Sequence, residues 1–156
     1  MTSMTVNVPS ALVRVQNWWD SPRSAHLRGT PGAIATYVVS RLLLILIPLG
    51  LMWYPGGTLL TDDVHLYWSW SQVILSGHYP IADPMWQYPP LAGFVFALGA
   101  NITSDPKIGF MLLALLADAV IFGWLLRRGR QIGRLGGAWT YALAGIAIGP
   151  VLLTRF

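Results

Sequence analysis

Ile108 to Leu126 reads IGFMLLALLADAVIFGWLL and runs straight into Arg127-Arg128-Gly129-Arg130. Nineteen residues with one charge, Asp118, make a helix of roughly 28 Å, close to the thickness of a bilayer's hydrocarbon. The arginines, with Arg134, form the basic stop that marks a cytoplasmic end. This stretch is therefore read as a membrane span running from outside to inside, and it orients everything on either side.

Towards the carboxyl terminus, residues 127–134 become a basic cytoplasmic loop and 135–153 a further span, with Trp139 and Tyr141 near its inner end. Gly145 and Gly149 there give a small-xxx-small spacing suited to close helix contact. Towards the amino terminus, Ala33 to Tyr54 supplies the first span, about 33 Å if helical. Trp53 and Tyr54 close its outer end, where aromatic rings favour the interface. Arg41 lies inside this span and is expected to snorkel back to the headgroups. Asp118 lies near the middle of its own span. An intramembrane carboxylate is a functional candidate by default, but its distance from the outer loop favours a helix-packing or polar-network role.

Composition agrees with a membrane protein. The 156 residues are 54% hydrophobic and 10% charged, against about 25% charged in soluble domains. There is no cysteine, which excludes disulfides and thiolate metal sites. The net charge of +4 comes from arginines that flank apolar runs, which argues for membrane topology rather than nucleic acid. A signal peptide is disfavoured, because the first long apolar run begins near residue 33 after a polar tail. In that cytoplasmic tail, residues 1–32, Leu12, Val13, Val15, Trp18 and Trp19 beside Arg14 and Asn17 suit a short interfacial helix; an unstructured tail is the alternative.

Residues 55–107 are left as one long outer loop. No Lys or Arg occurs between Leu42 and Pro106, and four of the six acidic residues, Asp62, Asp63, Asp83 and Asp105, fall there. Leu91 to Ile102 is apolar but only 12 residues long, below the roughly 17 needed to span. As a fourth span it would put the arginine cluster outside. As an interfacial helix it leaves every charge on its expected side, and that reading is preferred. A second interfacial helix is expected over 64–75: His65, Ser69 and Gln72 form a polar stripe, and Leu66, Tyr67, Trp70, Val73 and Ile74 an apolar side. The expected fold is thus all-α and integral to the membrane, with three transmembrane helices and two interfacial helices in the first outer loop.

Asp62 and Asp63 stand at the start of the 64–75 helix. Capping, shared with Thr61, explains them. So does general-base chemistry, since a helix amino terminus favours the ionised form and a carboxylate there can take a proton from a substrate hydroxyl. The two roles are compatible. Tyr88-Pro89-Pro90 reads as a rigid turn. Trp86 and Tyr88 are either interface aromatics or a stacking surface for a sugar; spacing does not choose.

Taken in order, Asp63-Val64-His65-Leu66-Tyr67, Gly77-His78-Tyr79-Pro80 and Trp86-Gln87-Tyr88-Pro89-Pro90-Leu91-Ala92 resemble the first outer loop of the GT-C superfamily of membrane glycosyltransferases. The resemblance is greatest to glycosyltransferase family 87, the polyprenyl-phosphate-mannose-dependent mannosyltransferases common in actinobacteria. It implies a plasma-membrane enzyme with a cytoplasmic amino terminus. The enzyme would move a sugar, with inversion, from a polyprenyl-phosphate donor to a glycan or glycolipid acceptor on the outer face. Asp63 matches the family's base, with Asp62 second. His65, Tyr67, Trp86 and Tyr88 become substrate-binding candidates. Arg155 and Lys107, at outer ends of spans, are candidate cations for the leaving phosphate, with interfacial anchoring as the other reading of Arg155. No cofactor is expected, although Asp62 and Asp63 could hold a divalent ion. Family members have some ten spans, so a chain stopping after a third span at Phe156 is expected to be the amino-terminal part of an enzyme and inactive alone. The rival reading is a non-catalytic small membrane protein or accessory subunit.

The charge pattern makes a topology prediction. Leu66→Cys should react with an impermeant maleimide from outside, and Arg130→Cys only after permeabilisation; the reverse labelling overturns the orientation.

Overall fold

The computed structural model describes Arg14 and residues 29–55, 62–149 and 151–154. Apart from Arg14, the expected interfacial helix around Leu12 to Trp19 lies outside the described residues, as do Thr61 and Arg155. The described residues form helices and no strands: α1 Thr30–Leu46, α2 Asp62–Leu75, α3 Pro90–Asn101, α4 Pro106–Gln131, α5 Gly136–Ile148 and the short α6 Val151–Thr154.

The all-helical expectation holds; the three uninterrupted spans do not. Among the described residues one helix, α4, is both long and apolar enough to cross a membrane. Its 26 residues rise about 39 Å, beginning at Asp105, whose side chain caps the Lys107 N–H at 2.9 Å. It continues beyond the expected end at Leu126, so most of the predicted basic loop is helix. The expected span 33–54 ends as a helix at Leu46, after 17 residues. Pro48 has no N–H to continue the ladder and its ring crowds the preceding turn. Gly50 then takes φ +73°, a left-handed conformation open to glycine. The expected span 135–153 is a helix of 13 residues that stops at Gly149, φ +69°, with Pro150 next in sequence. The two loop helices start and end within two residues of expectation.

α4 is the shared column. Near its carboxyl end, Phe122 and Leu126 pack with Ala33 of α1 and Ala138 and Ala142 of α5, and Tyr37 stacks flat on Phe122 at 4.0 Å. Higher up, Met111 and Ala114 meet Leu44 of α1 and Leu153 of α6. At its start, Phe110 joins Val64, Tyr67 and Trp70 of α2 and Phe96 of α3.

The middle of the bundle holds an ion pair. Arg41 and Asp118 are each 4% exposed. Arg41 Nε donates to Asp118 Oδ2 at 2.8 Å and Nη2 to Oδ1 at 2.9 Å, a two-pronged contact. Nη1 donates to the Ala142 carbonyl and to Ser40 Oγ, both at 3.0 Å. Tyr37 and Tyr141 donate their hydroxyls to the same carboxylate, at 2.7 and 2.8 Å. Their rings also lie near the guanidinium, 4.6 and 5.4 Å from centroid to Cζ. Arg41 therefore does not snorkel; a buried carboxylate two helices away offers a better partner than the headgroups. Gly145 serves this pair as well, because a Cβ there would collide with the Arg41 guanidinium.

Removing one member of such a buried pair strands the other charge, at a cost of about 3–5 kcal/mol. Arg41→Met should therefore sharply lower the stability of the detergent-solubilised protein. Adding Asp118→Leu should recover most of the loss. A silent Arg41→Met would show that the pair does not hold the bundle.

Candidate functional site

α2, the segment 76–89 and α3 form one module, docked on the start of α4. Buried α2 positions Val64, Tyr67, Trp70 and Ser71 recur every three to four residues, the period of one helix face. Tyr67 stacks on Phe96 at 4.6 Å, 7° from parallel. Trp70 meets Trp86 edge-on at 5.2 Å and Tyr88 at 5.8 Å. Two glycines let the backbones close in: a Cβ on Gly99 would lie 2.6 Å from the Phe110 ring, and one on Gly109 would collide with the Gly99 carbonyl.

Asp83 fastens the segment between the helices. It accepts from the Trp70 indole N–H at 2.8 Å through Oδ2 and from the Met85 backbone N–H at 2.8 Å through Oδ1. These two donors, the indole first, hold its carboxyl below the usual carboxylate range. Tyr88, carried by the rigid Pro89-Pro90 turn, is thereby brought over α2. Its hydroxyl lies 3.1 Å from that of Tyr67.

The result is a cleft of about 400 Å³ lined by Asp63, Leu66, Tyr67, Trp70, Met85, Gln87 and Tyr88. Asp63 sits in the first turn of α2. Tyr67 follows one turn later on the same face. A carboxylate, two phenols, an amide and an apolar wall thus share one opening.

No family model, curated protein or solved structure matches the chain.

Three of the residues singled out from the sequence, Asp63, Tyr67 and Tyr88, come together in this cleft. Asp62 is exposed beside it, and neighbouring helix positions do not face one another. Among the described residues no group of three or more His, Cys, Asp or Glu side chains gathers to hold a metal ion. His65 is exposed, about 200° around the helix from Asp63. Trp86 is half-buried in the aromatic core, against Trp70, Tyr79 and Phe96, and does not line the cleft. Lys107 belongs to the first turn of α4, also off the cleft lining. The sequence reading missed Trp70, Met85 and Gln87 as wall residues and Asp83 as their organiser. Trp70 was within reach, since it follows Asp63 by seven residues and Tyr67 by three on one helical face. Asp83 carries no local signal; its partner is 13 residues away.

Because the folded state lowers the Asp83 pKa, the ionised form stabilises the fold fully above the unfolded value, about 3.9. That contribution is lost as pH falls through the lower, folded value. Protection of the backbone amides in residues 78–89, taken as the exchange rate relative to an unstructured peptide at the same pH, should therefore hold at neutral pH and fall below about pH 4. Asp83→Ala should lower that protection at neutral pH and remove its pH dependence. Protection indifferent to both changes would remove Asp83 as the fastener.

Proposed function

We propose that this chain is the amino-terminal module of an inverting membrane glycosyltransferase, acting with a polyprenyl-phosphate-linked sugar, mannose by resemblance, at the outer face. The observation that carries the proposal is the cleft in which Asp63, Tyr67, Gln87 and Tyr88 meet above the start of the long apolar helix. These residues belong to the motifs on which the resemblance to family 87 rests.

The membrane part of the reading has its own support. Only 33% of the most apolar stretch of α4 is buried, whereas the core helix of a soluble protein is covered on most sides. Leu42, Leu43, Leu116, Val120 and Leu143 all face outward, a belt that suits hydrocarbon better than water. In the three-span reading, α1 with the turn after it and α5 with α6 are interrupted spans. At the break the Gly149 N–H bonds to Gly145 O and the Leu152 N–H to Gly149 O, so these two donors keep partners without water.

In this reading Asp63 accepts the proton of an acceptor hydroxyl as that oxygen bonds to the anomeric carbon from the face opposite the lipid phosphate. The bond from the anomeric carbon to the phosphate oxygen breaks, and the polyprenyl phosphate leaves with the electron pair. The phenols of Tyr67 and Tyr88 and the Gln87 amide present donors and acceptors to sugar hydroxyls. The candidate cations for the leaving phosphate are Lys107 and Arg155.

In membranes that carry out transfer from polyprenyl-phosphate-mannose with this protein, Asp63→Asn should lower that transfer by about 10²–10⁴-fold, the range for loss of a general base, with unchanged protein in the membrane. Undiminished transfer would remove Asp63 from the chemistry.

A further inference from the structure

The other end of α4 carries a feature that sugar transfer does not use. Trp124, Arg127, Arg128 and Gln131 line a recess of about 270 Å³. Their spacing of three, four and seven residues puts them on one face. Leu112, Leu116 and Val120 continue that face up the helix in four-residue steps, and the last two, with Trp124, are 63–65% exposed.

We propose that this face binds an anionic phospholipid of the inner leaflet, its phosphate held by Arg127 and Arg128 and its acyl chains lying along Val120, Leu116 and Leu112. The proposal rests on the reading of α4 as a membrane span. Three observations carry it. The two guanidiniums are exposed, and among the described residues neither makes an ion pair or side-chain hydrogen bond, whereas the neighbouring Arg130 donates to Thr30 Oγ1 at 3.3 Å. The helix's last carbonyls are already occupied: Ile132, Gly133 and Arg134 N–H bond to the carbonyls of Arg128, Arg130 and Gly129 at 3.2, 3.4 and 2.9 Å. The arginines are thus left for an anion from outside, and guanidinium groups match phosphate oxygens two at a time. Finally, Trp124 lies one turn above Arg128, about 6 Å along the axis. That separation sets an interface-seeking ring at the acyl boundary while the cations reach the phosphate layer. A free phosphate ion would use the arginines but leave the apolar stripe and the indole unexplained.

The test uses the full chain in nanodiscs of phosphatidylcholine and phosphatidylglycerol in equal amounts, with retained lipids counted by native mass spectrometry after release. Phosphatidylglycerol should be enriched over phosphatidylcholine by about fivefold or more, given the pull of two basic residues on an anionic headgroup. Arg127→Gln with Arg128→Gln should abolish the enrichment. Arg130→Gln with Arg134→Gln, which removes the same charge, should preserve it. Equal loss in both pairs would reduce the effect to bulk charge and overturn the site. Displacement of the lipid by millimolar inorganic phosphate would overturn it too, leaving a simple phosphate site. Extraction of the chain by alkaline carbonate would overturn the membrane reading and this site together. A chain that resists carbonate yet shows no lipid preference would overturn the site alone.

Discussion

The bundle depends on one buried charge pair. Arg41 of α1 and Asp118 of α4 meet in a two-pronged contact, and the Ala142 carbonyl and Tyr141 hydroxyl of α5 complete it. Removing two charges from water costs several kcal/mol for each, and that cost is offset only when geometry is good and every remaining hydrogen-bonding group has a partner. Here the carboxylate accepts four donors, and the guanidinium uses Nε, Nη1 and Nη2. Three helices must therefore arrive together, because any two alone leave part of the cluster unsatisfied. The pair also fixes register: shifting α1 by one residue would turn Arg41 about 100° away from Asp118.

The cleft inherits its position from the same column. Asp118 in the middle of α4 fixes α1 and α5, and Phe110 at its start receives the aromatic core of α2 and α3. The module they form keeps its shape through rings and one carboxylate. Tyr67, Trp70, Trp86, Tyr88 and Phe96 brace one another, and Asp83 ties the loop to the Trp70 indole. Asp63 is then presented by the first turn of a helix whose middle is held by Tyr67 and Trp70, and it lines an opening shared with both.

The sequence announced the elements better than their limits. Long apolar runs and terminal charges were enough for α4, and short apolar patterns bounded by prolines were enough for α2 and α3. The 33–54 run was misjudged because hydropathy counts Pro48 and Gly50 as compatible with a span, while backbone chemistry does not. Arg41 was misjudged because its partner lies 77 positions away; snorkelling is the default for an arginine with no visible counterpart. Asp118 does belong to a polar network, as a charge in an apolar helix suggests, because such a carboxylate has to be paired. In the site, Asp63, Tyr67 and Tyr88 were legible from motif order. The displacement of Trp86 into the core and the role of Asp83 were not, since both follow from how the 76–89 segment folds back.

The contact between Gly99 and Gly109 carries one more consequence. At that crossing the Gly109 position lies against the Gly99 carbonyl, and the Phe110 ring lies against Gly99, so neither glycine has room for a side chain of its own. Over evolutionary time the rows facing outward, such as Leu91, Phe94 and Leu116, can exchange one hydrocarbon for another at little loss. The two glycines cannot drift even to alanine without moving the Phe110 ring or prising the helices apart, so this crossing is where the ancestry of the chain should be written most plainly.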